Sequence, residues 1–250
     1  MGSGAAGEGW GQGVRIVFFD LDGTLIFHKP DTMEILSDFC AGIGQHLQQE
    51  QLRHGRRVRH EYFADPLIRE ELDGLPREEF WHHYNRHLLE AMGIEGDLDA
   101  LADELAARFE RIELDYDCPN AGCRTLDVLR NRGYRLGLIT NREHVPRFHA
   151  LIEEANLRHR FEIILSSGEV GMPKPQPTIF HAALAQAGAR AEDAIYVGDN
   201  YWADVVGAQR AGVRPVLLDP HGLFPEAECI VIERIDALLR WLPGPGRASS

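Results

Sequence analysis

Residues 14–25 read VRIVFFDLDGTL, an apolar run followed at once by two acidic residues. The run Val14 to Phe19 is β-branched, aromatic and nearly all apolar, which is typical of a strand covered on both faces in a parallel sheet. Asp20, Asp22 and Thr24 come directly after this strand, at the end where open α/β sheets bind their ligands. One carboxylate of such a pair can attack phosphorus while its neighbour shuttles a proton, although a lone pair of this kind is more often a solvated turn.

Similar apolar runs recur downstream, each beside a segment with helical periodicity. This alternation indicates βαβ units, and it predicts an α/β fold with a Rossmann-like parallel sheet and helices on both of its faces. The further predicted strands are Tyr134 to Ile139, Phe161 to Leu165, Ala194 to Val197, Val213 to Leu218 and Ile230 to Ile232.

The chain between the first two of these strands has no convincing strand, and its pattern is helical. Two apolar stripes at helical spacing are interpreted as core and not as a ligand site, because every amphipathic helix needs an apolar face. The stripes are Trp81, Tyr84, Leu88 and Met92, and then Leu98, Leu101, Leu105 and Phe109. The predicted divisions are a sheet core in 14–27 and 117–242, a helical insertion in 28–116, and flexible tails in 1–13 and 243–250.

The composition, with 44% hydrophobic and 26% charged residues, is that of an ordinary globular protein. No segment approaches the roughly 20 apolar residues that a transmembrane helix needs, and the start MGSGAAGEGWGQG lacks the features of a signal peptide. We therefore expect a cytoplasmic protein, monomeric or homodimeric, with no membrane partner. The net charge of −13 disfavours nucleic-acid binding, but it does not exclude a small anionic substrate beside a metal ion.

The cysteines of the chain are Cys40, Cys118, Cys123 and Cys229. They form no CxxC pair, and only Cys118 and Cys123 lie close together in sequence. We therefore expect neither a zinc site nor a disulfide framework.

A second acidic pair follows another apolar strand, in VGDNYWAD at 197–204. Asp199 and Asp204 offer oxygen ligands of the kind that suit Mg²⁺, which favours one or two protein carboxylates together with waters and a substrate phosphate. The alternative is helix capping, because Asp199 or Asn200 can cap the following helix and Asp204 can favour its positive end. Capping is compatible with metal binding, so both interpretations stay open.

Three further polar residues belong to the same set. Thr140 and Asn141 end the strand YRLGLIT, where a hydroxyl can donate to a phosphoryl oxygen, although a turn residue that closes a strand has the same appearance. Lys174 lies between Pro173 and Pro175, which restrict the backbone and so limit where the ammonium can travel. An ordinary surface lysine is the alternative interpretation there.

Together, the order and spacing of these elements resemble the haloacid dehalogenase superfamily, whose hydrolases carry DxDGT, a strand-ending Thr or Ser, a Lys and GDxxxxD. The resemblance spans residues 15 to about 220, through DLDGTL, LITN, GMPKPQPTIF and GDNYWADVVGAQRAG. It is closest to subfamily I, in which a helical type 1 cap is inserted after the first motif and closes over the active site.

The resemblance implies a role for each acid. Asp20 matches the nucleophile and a metal ligand, and Asp22 matches the general acid and base, with its backbone carbonyl offered to the metal. Asp199 matches a direct metal ligand. Asp204 matches an acid that ligates the metal, or that orients Lys174 or metal-bound water.

The resemblance also implies which residues hold the phosphate. Thr140 and Lys174 match the two phosphate-holding residues of the family. Thr24, in the first motif, and Asn141, which follows Thr140, are expected to contact the phosphate as well.

These matches imply a magnesium-dependent phosphatase that hydrolyses a small phosphorylated metabolite through an aspartyl phosphate, with Mg²⁺ as cofactor. A phosphomutase of the same superfamily, or a non-catalytic binding protein that retains the fold, is the alternative. A dehalogenase is disfavoured because the founding members lack the second acid, which is Asp22 here. The basic run LRHGRRVRH, 52–60, is either a contact for an anionic leaving group or an ordinary solvated face.

Overall fold

Strands and helices alternate along most of the structure, a computed structural model that describes residues 10–62 and 75–244. The strands in these residues are β1 (Ile16–Phe19), β2 (Phe27–Lys29), β3 (Asp115–Asp117), β4 (Arg135–Thr140), β5 (Ile163–Ser166), β6 (Ala194–Gly198), β7 (Arg214–Leu218) and β8 (Ile230–Ile232). Six of them form a parallel sheet in the order β5-β4-β1-β6-β7-β8, while β2 pairs with β3. The predicted α/β fold with a parallel sheet is confirmed.

The sheet brings the predicted site residues to one edge. Strand β1 lies between β4 and β6, with Phe19 in register with Leu138 on one side and Val197 on the other. All four residues of β1 are buried, as expected for an apolar strand covered on both faces. Because the three strands are parallel, their carboxyl ends lie at the same edge of the sheet.

Nine α-helices are present in the described residues. They are α1 (Thr32–Gly42), α2 (Gln49–Glu61), α3 (Arg77–Ala91), α4 (Leu98–Arg111), α5 (Asn120–Asn131), α6 (Val145–Glu154), α7 (Ser167–Val170), α8 (Pro177–Ala187) and α9 (Gly207–Arg210). Helix α8 shows how they join the sheet: Phe180 is buried, and its ring meets that of Tyr196 edge-on with 5.0 Å between centroids. Within 10–62 and 75–244, no helix combines the length and the apolar character needed to cross a membrane.

The chain divides into two compact units. The sheet unit comprises Met1–Phe27 and Asp117–Ser250, and the helical unit comprises His28–Tyr116. In the helical unit, α1 begins at the N-cap Asp31, whose side chain accepts from the backbone N–H groups of Met33 and Glu34. In return, the Glu34 side chain accepts from the Asp31 N–H, which completes a capping box. The backbone N–H groups of Asp31, Met33 and Glu34 therefore all have hydrogen-bond partners.

The apolar stripes predicted between the first two strands lie mostly in the core of the helical unit. Tyr84, Leu88, Met92 and Leu105 are buried there, and Leu98, Leu101 and Phe109 pack against them. Trp81 differs, because it is 40% exposed. Helical spacing identifies the apolar face of a helix, but it does not say how far along that face the neighbouring helices reach.

The short strands β2 and β3 correct the expectation that no strand lies between β1 and β4. Each has only three residues, in an exposed, intermediate, exposed burial pattern. Their sequences, FHK and DYD, contain no apolar run that would identify a strand. Their pairing depends on two chain segments that are far apart in sequence.

Two other expectations concern the ends of the chain and its thiols. Most of the two predicted tails, residues 1–9 and 245–250, lies outside the described residues. The described part of the N-terminal tail contacts the rest of the chain, because the Trp10 ring meets the Trp241 ring edge-on with 6.2 Å between centroids. The four cysteines are free. The Sγ atoms of Cys118 and Cys123 lie 3.0 Å apart as a hydrogen-bonded thiol pair.

Candidate active site

Three aspartates from the two acidic motifs meet at the carboxyl edge of the sheet. Asp20 follows β1, Asp199 follows β6, and Asp204 lies in the helical segment Tyr201–Val206. One carboxylate oxygen from each lies within 4.8 Å of the other two. Asp20 and Asp204 are buried, while Asp199 is half-buried. The parallel register of β1 and β6 therefore unites two motifs that are far apart in the chain.

Lys174 places its ammonium inside this cluster. Its Nζ donates to Asp20 Oδ1 at 2.7 Å, to Asp204 Oδ1 at 2.6 Å and to Tyr196 Oη at 2.8 Å. The side chain is 2% exposed, so the alternative of an ordinary surface lysine is wrong. An ammonium has three hydrogens, and each has a partner here.

Tyr196 is a member of the site that sequence reasoning missed. Its hydroxyl accepts from Lys174 and donates to the backbone carbonyl of Ile139 at 3.0 Å. The residue lies in the middle of β6, where its ring is an ordinary part of an apolar strand. The available signal was one hydroxyl in the run AIYVG, which needs a partner when it is buried.

Asn141 holds the backbone at Lys174. Its Nδ2 donates to the Lys174 carbonyl oxygen at 3.0 Å, and its Oδ1 accepts from the Lys174 N–H at 2.7 Å. Thr140 precedes it and is buried as the last residue of β4. The predicted contacts of Thr140 and Asn141 with a phosphate stay predictions, and the structure adds a positioning role for the Asn141 amide.

Hydrogen bonds and a close backbone approach hold the second acidic motif, 197–204, in place. Thr24 Oγ1 donates to Asp199 Oδ1 at 3.0 Å. Asn200 Oδ1 accepts from the N–H groups of Trp202 and Ala203, so Asn200 provides the capping that the sequence left open between it and Asp199. At Gly198, an added Cβ would overlap with the Asp204 carboxylate, so the close approach of strand and acid requires glycine there.

The Asp22 carboxylate forms an ion pair with Arg142. Arg142 Nε donates to Asp22 Oδ2 at 2.9 Å and Arg142 Nη2 donates to Asp22 Oδ1 at 2.6 Å, which makes a bidentate ion pair. The two side chains are 46% exposed at Asp22 and 20% exposed at Arg142. Sequence reasoning did not select Arg142, although it directly follows the motif LITN.

The charges in the buried cluster are unbalanced. Burial raises the pKa of Asp20 well above its ordinary 3.8; Lys174 opposes the rise and Asp204 adds to it. Burial also raises the pKa of Asp199 to about 7, with Asp204 adding to the rise and Thr24 opposing it. Burial disfavours the charged form of Lys174, but Asp20 and Asp204 outweigh that effect and raise the pKa of the ammonium. The acids together carry more negative charge than this ammonium can neutralise.

A hard divalent cation fits these acids. Mg²⁺ prefers carboxylate oxygens and keeps several water ligands, and the Asp20, Asp199 and Asp204 oxygens are close enough to share one ion. The cation would supply the missing positive charge, because three carboxylates meet beside the single ammonium of Lys174, and repulsion among them adds to burial in raising the pKa values of Asp20 and Asp199. The oxygen-only set excludes a zinc site of the thiolate type.

The chain is similar to known proteins along most of its length. A family model described as haloacid dehalogenase-like hydrolase matches residues 14–212. Phosphoserine phosphatase from Thermus thermophilus is 32% identical, over 85% of this chain and 91% of the relative. Glyceraldehyde 3-phosphate phosphatase from Pyrococcus furiosus is 28% identical, over 92% of this chain and 90% of the relative.

The fold is also similar to solved structures. The crystal structure of a HAD-hydrolase, YfnB from Bacillus subtilis, has a TM-score of 0.60 and is 19% identical. The match covers 92% of this chain and 98% of that one. At this level of identity the likeness concerns the fold alone.

Proposed function

The chain belongs to the haloacid dehalogenase-like hydrolases, and from this premise we propose that it is a magnesium-dependent phosphatase with Asp20 as its nucleophile. Relatives named as phosphatases support a phosphoric monoester hydrolase. The proposed substrates are small phosphorylated metabolites.

The observation that carries this proposal is the buried contact between Lys174 Nζ and Asp20 Oδ1, at 2.7 Å. A carboxylate beside a fixed ammonium can attack phosphorus while the same ammonium neutralises charge on the equatorial phosphoryl oxygens. Because both side chains are buried, the interaction is weakly screened by water.

The proposed first step transfers the phosphoryl group to Asp20. A carboxylate oxygen of Asp20 bonds to phosphorus as the bond from phosphorus to the ester oxygen breaks, and Asp22 gives its proton to that leaving oxygen. In the second step a water molecule attacks phosphorus, its proton goes to Asp22, and the bond to Asp20 breaks. Phosphate is released, and both aspartates return to their starting state.

Asp20, Asp199 and Asp204 are the side chains that would hold the magnesium ion, with the Asp22 carbonyl as the further ligand that the family resemblance implies. When bound, the ion supplies positive charge to the transferring phosphoryl group. Lys174 adds a cation that the chain itself holds in place, since Tyr196 and Asn141 fix its ammonium and its backbone.

The alternatives have less support. A non-catalytic binding protein does not need an acid and base two residues from a buried nucleophile. A phosphomutase uses the same groups but returns the phosphoryl group to a substrate, whereas the relatives named above are phosphatases.

The helical unit contains none of the six residues proposed for phosphoryl transfer, and its role as a cap stays a prediction. Those six are Asp20, Asp22, Thr140, Lys174, Asp199 and Asp204.

Hydrolysis of p-nitrophenyl phosphate with and without magnesium tests the proposal. We expect Asp20→Asn to lower the magnesium-dependent rate on the order of 10⁴-fold or more, because the amide keeps the shape but cannot act as the nucleophile. Asp219→Asn is a matched control, since Asp219 is also buried directly after a strand and accepts from the backbone N–H groups of His221 and Phe224.

The control should keep most of the activity, which separates loss of the nucleophile from the general cost of replacing a buried aspartate. Substantial magnesium-dependent turnover in folded Asp20→Asn would exclude Asp20 as the nucleophile. Transfer of the phosphoryl group to a second substrate, without release of inorganic phosphate, would indicate the mutase.

A further inference from the structure

Arg142 is a cation at the edge of the site that the phosphoryl-transfer steps above do not use. Its guanidinium holds both oxygens of the Asp22 carboxylate, at 2.9 Å and 2.6 Å. The loop that carries it is anchored: the Arg142 carbonyl accepts from the Gly168 N–H at 3.3 Å, and the preceding Asn141 is bonded to the backbone of Lys174. The backbone that carries Arg142 is therefore anchored independently of Asp22.

The partner of Arg142 indicates which part of a substrate it would meet. In the proposed mechanism the Asp22 carboxyl touches the ester oxygen of the leaving group. A side chain that contacts the same carboxyl is thus one contact away from that oxygen. Arg142 lies on the leaving-group side of the reaction, whereas the Lys174 ammonium contacts the nucleophile Asp20.

The contact between Arg142 and Asp22 is also one that a ligand can replace. When such an ion pair separates, water can compensate the charge of its exposed member. Asp22 is nearly half exposed, unlike the buried partners of Lys174. A guanidinium prefers planar oxyanions that accept two parallel hydrogen bonds, and in this structure it holds a carboxylate in that way.

A leaving group with its own carboxylate meets a particular problem at this site. It adds a negative charge to a site where three carboxylates, those of Asp20, Asp199 and Asp204, already meet beside the one ammonium of Lys174. A positioned guanidinium would offset that repulsion. When the substrate carboxylate takes the place of Asp22 on Arg142, the Asp22 side chain is released to reach the ester oxygen.

We propose that Arg142 binds a carboxylate on the leaving group of the substrate, in exchange for Asp22. The proposal rests on the proposed phosphatase function and narrows its substrate class to phosphate monoesters that bear a carboxylate near the ester oxygen. The proposal also distinguishes between the substrates for which the two relatives are named, since phosphoserine has such a carboxylate and glyceraldehyde 3-phosphate does not.

Two pairs of esters test this assignment: O-phosphoserine against O-phosphoethanolamine, and 3-phosphoglycerate against glycerol 3-phosphate. The members of each pair differ in the carboxylate. We expect the wild type to have a higher kcat/KM for the carboxylate member, and Arg142→Gln to reduce that preference by about tenfold or more, the usual effect of losing hydrogen bonds to a charged group. Arg142→Lys keeps the charge but loses the planar pair of donors, so it should also reduce the preference.

Arg160→Gln is the matched control. Arg160 makes a bidentate pair with Asp127 at 2.9 Å and 3.1 Å, and the side chains are 11% and 46% exposed. This variant should keep the preference of the wild type. Hydrolysis of p-nitrophenyl phosphate should persist in every variant, because each variant keeps Asp20, Asp22 and Lys174 and this ester has no carboxylate for Arg142 to bind.

Equal losses for both members of each pair in Arg142→Gln would assign Arg142 to the positioning of Asp22 and overturn the proposal. A wild type without preference for the carboxylate would overturn it too. Failure of the proposed function looks different, because the wild type would then hydrolyse none of the five esters with magnesium. If Arg142→Gln does not fold, Arg142→Lys still decides between the outcomes.

Discussion

Lys174 is held at its backbone by Asn141, directly after β4, and at its ammonium by Tyr196 in β6. Asn141 bonds its backbone in both directions, and the Tyr196 hydroxyl bridges its ammonium to the carbonyl of Ile139. Residues 139–141, at the end of β4, thus set the position of the lysine through two different side chains. A buried ammonium with all its hydrogens satisfied has little freedom to move, which favours a geometry prepared for the phosphoryl group.

Tyr196→Phe tests this positioning. Removing the hydroxyl leaves one hydrogen of the Lys174 ammonium without its partner, so we expect kcat with p-nitrophenyl phosphate to fall by about tenfold. Tyr134→Phe is the control, because the Tyr134 hydroxyl is also in the sheet unit and accepts from the Gly244 N–H. Both variants should lose roughly 1 kcal/mol of unfolding free energy, measured by urea denaturation, but only the first should lose activity.

A double-mutant cycle with Lys174→Met shows whether Tyr196 acts through the lysine. In that background the Tyr196→Phe substitution should have no further effect on the residual rate. An additive loss in the double variant would mean that Tyr196 affects the reaction by another route.

Helix α2 contains the basic run 52–60, and its arginines have partners within the helical unit. Arg57 Nε contacts Glu61 Oε1 at 2.6 Å, one turn along the same helix. Arg56 contacts Asp31 at 3.3 Å, and Arg59 donates to the Tyr84 hydroxyl at 3.2 Å. These contacts favour a structural role on a partly exposed face over recognition of a leaving group.

Joint replacement of Arg56, Arg57 and Arg59 by Ala should therefore leave substrate preference unchanged. We expect the ratio of kcat/KM between O-phosphoserine and O-phosphoethanolamine to stay within about twofold of the wild type. The melting temperature should fall by a few degrees, because packing and ion pairs are lost together. A marked drop in the ratio would instead assign recognition of the carboxylate to α2.

At the scale of the whole molecule, the buried acids of the site should make the stability of the protein depend on pH. A carboxyl whose pKa is higher in the folded than in the unfolded protein contributes stability below the unfolded value, and that contribution is lost as pH rises through the folded value. For Asp199 the window runs from 3.8 to about 7. Asp20 acts in the same direction, since its pKa is also raised.

We therefore predict that, in EDTA, the contribution of these two acids lowers the melting temperature as pH rises from about 5 to about 8. Magnesium binds the deprotonated acids, so the stabilisation it provides should increase over the same range. Differential scanning calorimetry with EDTA or with magnesium measures both effects, and Asp199→Asn should flatten the pH dependence. A magnesium shift that is equal at every pH would contradict this explanation.

Local patterns in the sequence were enough to predict the sheet and the acidic motifs at its edge. The apolar runs of β1, β4, β5, β6 and β7 report burial on both faces, and parallel strands place their carboxyl ends at one edge. Asp20, Asp199 and Asp204 follow from that rule, because each comes at or shortly after the end of a strand. The short strands β2 and β3 did not follow from it, since they have no apolar run.

The tertiary structure alone decided the partners of these residues. Arg142 meets Asp22 across 120 positions of the chain, and Thr24 meets Asp199 across 175. Such contacts depend on strand order and on the course of the loops, and no local period contains that information. The identity of a side chain states which bonds it can make, whereas the fold determines which partner lies within reach. This is why sequence reasoning overlooked Tyr196 and Arg142.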